Sequence, residues 1–407
     1  MNYKTRQFTQ TFFLFVAVAL LGWFGFQAPP QVARSHVQES GGDLEAGFSG
    51  ELKYFDTKLS SPGFTLVPVI GAAKVLLLNS RGNVVHTWNL DADRARLLPN
   101  GNLLVVHGSK WGAKVEPWKS LRKTIREYSW AGEIVWERTE SDVIHHDVNR
   151  LENGNTVFAV REMLPDSYRE KIVDPIRKKI KIRSDRIVEI TPLGEVSWEW
   201  KAHDHLDLNS CGKPACVIPR GKKEAQQKLS DWTHINTTSI VPANKWFDQG
   251  DSRFRPGNII TIPRNWWTVL VIDRDSKEVV WQYEGDYRGG ISGGHEAHII
   301  PEGLAGAGNM LIFDNGRKLH GNQSVVLEIN PVTKEIVWLY EAPGFFSPSA
   351  GSVQRLPNGN TLISEDVDGR VFEVTQDKQV VWDYQSSLRV SRAHRYNLGY
   401  CPQFENL

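Results

Sequence analysis

The stretch SVVLEINPVTKEIVWLYE, residues 324–341, holds two β-branched runs around an Asn-Pro turn, the second ending in Trp and Tyr. It reads as strand, turn, strand. DRIVEITPLGEVSW, residues 185–198, has the same form, and the Trp-bearing half recurs throughout the chain. It appears as NVVHTWNL at Trp88, EIVWERT at Trp136, EVSWEWK at Trp198, EVVWQYE at Trp281, EIVWLYE at Trp338 and QVVWDYQ at Trp382. Five of these six are followed by a second hairpin: RLLPNGNLLVV, RLENGNTVFAV, the degenerate IVPANKWFDQGDSRFRPGNIITI, IIPEGLAGAGNMLIF and RLPNGNTLIS.

The repeating unit is therefore four strands. A four-stranded repeat of this kind marks a β-propeller, in which each blade covers the apolar face of the next. Six Trp strands predict six blades, with the tryptophans in the core. The first Trp strand precedes the first inner hairpin, and SLRVSRAHRYNLGY follows the last, so the two ends of the chain should complete one blade between them. The expectation is an all-β, six-bladed propeller closed by N- and C-terminal strands. Helical periodicity is nearly absent, DPIRKKIKI within 174–182 being the one helix-like insertion.

The composition, 40% hydrophobic and 23% charged over 407 residues, is that of an ordinary globular chain. A formal net charge of +1 gives no overall field for nucleic acid. Lys4 and Arg6 precede an unbroken apolar run, Phe12 to Phe26, the length of a long signal-peptide core. This predicts a signal-peptide or uncleaved signal-anchor helix within 1–30, ahead of the propeller, a membrane tether through 12–26 in the second case, a linker over 31–60, and the catalytic propeller over 61–407. The positive residues hold the N-terminus in the cytoplasm and send the rest out, to a periplasmic or other extracytoplasmic location. In an oxidising compartment Cys211 and Cys216, in NSCGKPACVIP, should form a small disulfide; Cys401 has no evident partner.

Chemistry enters through register. His146 stands eight residues before the turn glycine Gly154 and Arg161 seven after it, which makes them neighbours at the end of the hairpin away from the turn. In the next unit the same places fall to His234, in DWTHIN, and Arg264; in the next, to His295, in GGHEAH, and Asn315. The remaining units hold Asp93 and Gly108, then Gly351 and Asp366. Three successive blades thus aim a histidine at one channel mouth, and two add an arginine. His145 and His298 are out of phase by strand alternation and read as supporting residues. Gly290 to Gly294 fits G-x-S-x-G, but strands flank it where a nucleophile elbow needs a strand and a helix. HEAH at 295–298 is one residue short of the helical zinc motif, and His203 and His205 read as polar loop, so no metal site is expected. Imidazoles and guanidiniums without a ring of carboxylates suit an anionic tetrahedral group. Nearby arginines should keep the imidazoles neutral.

Those motifs, with IPRN…VIDR, GGHEAHII…FDNG and the terminal RAHRY, resemble the bacterial aryl-sulfate sulfotransferases over nearly the whole chain beyond residue 60. The resemblance implies sulfuryl transfer from an aryl sulfate ester to a phenolic acceptor, with no nucleotide sulfate donor and no cofactor. It makes His295 the residue transiently sulfated, with Arg264, His234 and His146 as catalytic partners. Asn236, Arg161, Asn315, Arg392 and His394 become substrate-binding candidates. Two other classes bear comparison: a quinone-dependent dehydrogenase propeller, which would carry acidic calcium ligands, and a non-catalytic propeller binding protein or glycan at the channel mouth.

Overall fold

The structure, a computed structural model, describes residues 48–108 and 110–407. The apolar run at 12–26 and the helix expected there lie outside the described residues. Among those described, no helix is long and apolar enough to cross a membrane.

Six antiparallel sheets form the blades of a propeller. From the innermost strand outward, blade 1 is His394–Tyr396, Phe64–Val69, Lys74–Leu78 and Val84–Trp88. Blade 2 is Arg94–Leu97, Leu103–Val106, Thr124–Tyr128 and Ile134–Thr139; blade 3 is Ile144–Arg150, Thr156–Met163, Arg183–Ile190 and Val196–Lys201. Blade 4 is Ser239–Ile240, Ile259–Thr261, Val269–Ile272 and Val279–Tyr283; blade 5 is Glu296–Ile299, Met310–Asp314, Val325–Ile329 and Ile336–Tyr340. Blade 6 is Ser352–Arg355, Thr361–Glu365, Arg370–Val374 and Val380–Ser386. The middle strands are the most apolar and the most buried. Leu103–Val106 and Val269–Ile272, for example, are buried at every position, as strands covered on both faces must be.

Closure is shared by the two ends of the chain. His394–Tyr396 supplies the innermost strand of blade 1, pairing with Phe64–Val69. Gly50–Phe55, within the stretch read from sequence as linker, adds a fifth strand to the outer edge of blade 6 by pairing with Val380–Ser386.

The repeated tryptophan has a repeated task. In every blade the pairing of third and fourth strands slips by one residue, a β-bulge that sharpens the local twist. In blades 2 to 6 the Trp follows the bulge directly. Its indole N–H then donates to a turn carbonyl of the next blade: Trp136 to Pro192 (3.2 Å), Trp198 to Arg274, Trp281 to Pro331, Trp338 to Gln376 and Trp382 to Ser80 (each 2.8 Å). In blade 1 His86 occupies that register position, its Nε2 2.9 Å from the Trp130 carbonyl, and Trp88 reaches Ser129 from two residues further on. Trp88, Trp281 and Trp382 are buried; Trp136, Trp198 and Trp338, expected in the core, are only half-buried. Each of these three has an arginine over its ring, Arg150, Arg274 and Arg355, as the buried Trp382 has Arg395.

The insertions around blades 3 and 4 are more ordered than their polarity suggests. Lys222–Leu229 is a helix that the sequence reading did not assign, while the segment 174–182 contributes only a 3-10 turn, Arg177–Lys179. Ile172, Ile180, Ile182, Leu208, Ala225, Trp232 and Trp266 join the core between these blades. His203 and His205 are not loop residues but sit on the short helix Ala202–His205, with His203 3.2 Å from Glu162. Cys211 and Cys216 are joined as a disulfide, and Cys401 is free and buried.

Candidate active site

The lead-ins to the inner strands set the site. In blade 3 the pairing runs to His145↔Ala159 and resumes at Val148↔Phe158, so His146 and Asp147 bulge toward the channel. His146 takes φ 64° in that bulge of the blade 3 inner strand, and His234 φ 55° and Arg392 φ 47° at the lead-ins of blades 4 and 1. A side-chain-bearing residue in this left-handed region costs about 1–3 kcal/mol and persists only where its surroundings over-determine it. Carboxylates do so here. Asp93 Oδ2 accepts the His146 backbone N–H at 3.2 Å, Asp185 that of Ile235 at 3.0 Å, and both oxygens of Asp366 that of Arg392 at 3.0 Å.

His295 is buried just ahead of its strand. The amide of Asn315 donates to the carbonyls of Ser347 (2.7 Å) and Ala350 (2.8 Å), which leaves its oxygen facing His295 Nδ1 at 2.5 Å. The Gly293 carbonyl lies 3.0 Å from the same nitrogen. Nδ1 is therefore the donor, and the lone pair of the neutral ring is on Nε2. Burial, reinforced by Arg264 and Arg392, holds His295 well below the usual histidine range against the opposing Asn315 bond. Gly293 is in the left-handed region at φ 87°, and a Cβ there would lie 3.0 Å from Arg317 Cδ and 4.0 Å from Arg264 Cγ. The glycine thus lets two arginine stems pass beside the loop. Ser292, from the G-x-S-x-G stretch, is buried with its hydroxyl accepting the Lys318 N–H at 3.1 Å, a structural use.

His146 and His234 face each other, Nε2 to Nε2, at 3.2 Å. Behind His234, Asp231 Oδ2 accepts from Nδ1 at 2.5 Å; behind His146, Asp93 Oδ2 lies 3.4 Å from Nδ1. Burial, then Arg264, push His234 down to about 3 despite Asp231. Burial pushes His146 down to about 4 despite Asp93. Against the raising effect of burial, the His234 bond and neighbouring arginines hold Asp231 well below the carboxylate range.

Arg264 Nε and Nη2 grip Asn265 Oδ1 at 3.2 and 3.0 Å, and Nη2 lies 3.8 Å from Asp231. Burial and Arg317 lower it to about 10, which leaves it charged at neutral pH. The Arg161 charge acts on both Asp231 and Arg264, so the blade 3 arginine belongs to the same group. Asn236 is fully buried and donates to the Gly294 carbonyl at 3.3 Å, next to His295. Arg392, also buried, crosses the channel: Nη2 donates to the carbonyls of Asn236 (2.7 Å) and His295 (3.1 Å), and Nη1 lies 3.5 Å from Glu296.

The structure thus gathers His146, His234, His295, Arg264, Arg161, Asn236, Asn315 and Arg392. His394 is elsewhere: it lines a cavity of about 460 Å³ with Leu98, Pro99, Leu151 and Pro357, residues at the turn ends of the inner hairpins and so at the channel's other end. Of the two supporting histidines, His145 pairs with Asp185 at 3.0 Å, and His298 lies 3.9 Å from Glu296, deeper in the channel. Sequence reading missed Asp231, although it stands three residues before His234 inside DWTHIN, and Arg317, which directly follows FDNG. The exposed Arg317 side chain makes no hydrogen bond among the described residues, and the next residue, Lys318, lies 5.7 Å over the ring of Trp267, itself at φ 57°. Among the described residues no group of three or more His, Cys, Asp or Glu is placed to hold a metal ion.

Among solved structures, a protein of unknown function from Bacteroides caccae is similar to this chain at 13% identity and a TM-score of 0.50, covering 82% of this chain and 99% of that one. A streptogramin B lyase is 10% identical with a TM-score of 0.44, covering 86% and 98%. A virginiamycin B lyase from Staphylococcus aureus is 10% identical with a TM-score of 0.37, covering 83% and 74%. At 13% identity the first of these bears on the fold alone. Among curated proteins none matches. Residues 123–387, however, match the family model described as Arylsulfotransferase (ASST), a span that holds His146, His234, Arg264, His295 and Asn315. The chain belongs to the arylsulfotransferase family.

Proposed function

We propose that the protein moves a sulfuryl group from an aryl sulfate ester to a phenol by way of a sulfated His295. The observation that carries this reading is the locked tautomer of His295: Asn315, itself fixed by two carbonyls, occupies Nδ1 and leaves Nε2 as the nucleophile. In the first half-reaction Nε2 attacks sulfur, the S–O bond to the aryl group breaks, and a phenol leaves with a proton from the His146–His234 pair. In the second, an acceptor phenol returns a proton to the pair as its oxygen takes the sulfuryl group and the N–S bond breaks. Arg264, with Arg317 beside it, would bear on the sulfuryl oxygens as charge builds in both transition states. Trp267 offers a face for the aryl ring. Arg392 is read as a positioning residue rather than a substrate ligand, because its fork is occupied by the carbonyls of Asn236 and His295.

The deciding experiment is rapid quenching after mixing with 4-nitrophenyl sulfate alone. A sulfuryl-sized mass increment on the peptide containing His295, absent from His295→Asn, supports the reading; label on His146 or His234, or none at all during turnover, overturns it. We further propose that this chemistry takes place outside the cytoplasm, a reading supported by Lys4 and Arg6 ahead of the 12–26 run and by the Cys211–Cys216 disulfide. A C-terminal fusion reporter active only in the cytoplasm would reject it.

A further inference from the structure

The row Asp93, His146, His234, Asp231 contains three contacts, of 3.4, 3.2 and 2.5 Å. Each needs a proton to be a hydrogen bond, and two neutral imidazoles bring two. Where the protons go follows from the geometry. The 2.5 Å contact holds a proton on His234 Nδ1, because a carboxylate only accepts. That leaves a lone pair on His234 Nε2, so His146 must place its single proton on Nε2 to make the 3.2 Å contact. His146 Nδ1 then presents a lone pair to Asp93, and this is the longest contact of the three. The row has room for one proton more than two neutral rings supply.

Everything around the row bears on whether that proton is taken up. Asp93, Asp231 and, behind His145, Asp185 favour it; Arg392, Arg264, Arg161 and Arg183 oppose it, as do burial and the His145 ring 4.8 Å from His146. With no anion beside these arginines burial wins and both rings are neutral at neutral pH. An aryl sulfate changes the balance. Its negative charge enters beside the arginines and offsets their repulsion of a cationic imidazole.

We propose that binding of the anionic donor draws one proton from solvent onto the His146–His234 pair, so that the acid for the departing phenolate is loaded by the substrate itself. The proton lands on His146 Nδ1 and completes the bond to Asp93, and the pair becomes one imidazole and one imidazolium. When the aryl S–O bond breaks, an Nε2 proton of the pair passes to the phenolate oxygen and the pair returns to two neutral rings. The acceptor phenol later restores that proton as its own O–H is lost. Over a full cycle no proton is gained or lost beyond the one taken up on binding and released with the sulfated product. Asp93 and Asp231 are positioning residues in this scheme. The inference rests on the sulfuryl-transfer reading above.

The test is titration calorimetry with benzenesulfonate, whose S–C bond this reaction does not cleave, in buffers of different ionisation enthalpy at pH 5.5, above the His146 value of about 4 and below the value a neighbouring anion would give it. Wild-type protein is expected to take up about one proton per bound sulfonate. Asp93→Asn, which keeps an oxygen for the His146 backbone N–H but removes the charge, should take up less than about half of that, and His146→Gln almost none. His146→Gln guards against a fold defect at Asp93, since binding itself reports an intact pocket. Binding by wild-type protein without proton uptake, or uptake unchanged in His146→Gln, overturns the inference and leaves sulfation of His295 standing. Failure of benzenesulfonate to bind, together with no label on His295, removes both readings at once.

Discussion

The rim and the mouth of this propeller are built from the same six blades by opposite rules. At the rim every blade carries a one-residue bulge in its outer hairpin and sends a Trp indole N–H to the next blade, so the contact repeats with the fold. At the mouth the corresponding lead-ins carry His146, His234, His295 and Arg392, each in a different hydrogen-bonding role. Repetition at the rim joins neighbours around the ring; variation at the mouth brings unlike groups together from blades 3, 4 and 5 and, through Arg392, from blade 1 across the channel. Substitutions should therefore separate cleanly, with rim changes read in stability and mouth changes in turnover.

The largest effect is expected at His295. His295→Asn should lower turnover of an aryl sulfate by about 10³-fold or more while the thermal midpoint stays near that of wild type. A parallel collapse of stability would make His295 a core residue and dissolve the contrast. Next comes Arg264→Lys, which keeps a charge but loses the planar fork; kcat should fall by about 10²-fold. Arg161→Lys, one blade further from His295, should cost less than about tenfold. Equal losses would mean that the pocket is centred on blade 3 rather than between blades 4 and 5.

A pH profile sharpens the same comparison. In the proposed reaction His295 acts as the neutral ring, and its lowered pKa keeps it neutral at pH values where an exposed histidine is already charged. The acid limb of kcat/KM should therefore begin below the ordinary histidine range near 6.5, then fall about tenfold per pH unit. Onset at 6.5 would contradict the burial of His295. The smallest effects belong to the rim. Trp281→Phe, which leaves the Pro331 carbonyl unpaired in a buried setting, should cost about 1–3 kcal/mol by denaturant unfolding with kcat unchanged. Trp338→Phe, half-buried, should cost less than Trp281→Phe.

That contrast also explains what could be read from the chain beforehand. Strand alternation and turn residues are local signals, and six Trp strands repeat them often enough to fix blade number and closure. Counting back from a turn glycine located His146, His234 and His295, because register within a hairpin is local too. His394 came from the resemblance in RAHRY and not from that count, and the structure places it with Leu98, Pro99 and Leu151 at the other end of the channel, two residues past Arg392, whose φ is left-handed. Counting missed the His146–His234 contact and the reach of Arg392 to two other blades, which depend on residues far apart in sequence. Gly50–Phe55 escaped notice for a related reason: an exposed edge strand has little apolar patterning, and its partner lies at the other end of the chain. The insertion around 222–229 looked polar because only a few of its residues, Ala225 among them, reach the core.

The closing strand sets an order of events during synthesis. Residues 392–396 emerge from the ribosome after all six outer strands, and the bond from Arg395 to Thr65 spans 330 positions. The same short stretch brings Arg392, which ties the His295 carbonyl to that of Asn236. A nascent chain can thus hold nearly every blade and still lack the tie between the carbonyls of His295 and Asn236. If the proposed reaction holds, competence should arrive with the last step of ring assembly, and a chain cut short before residue 392 should be silent rather than misdirected.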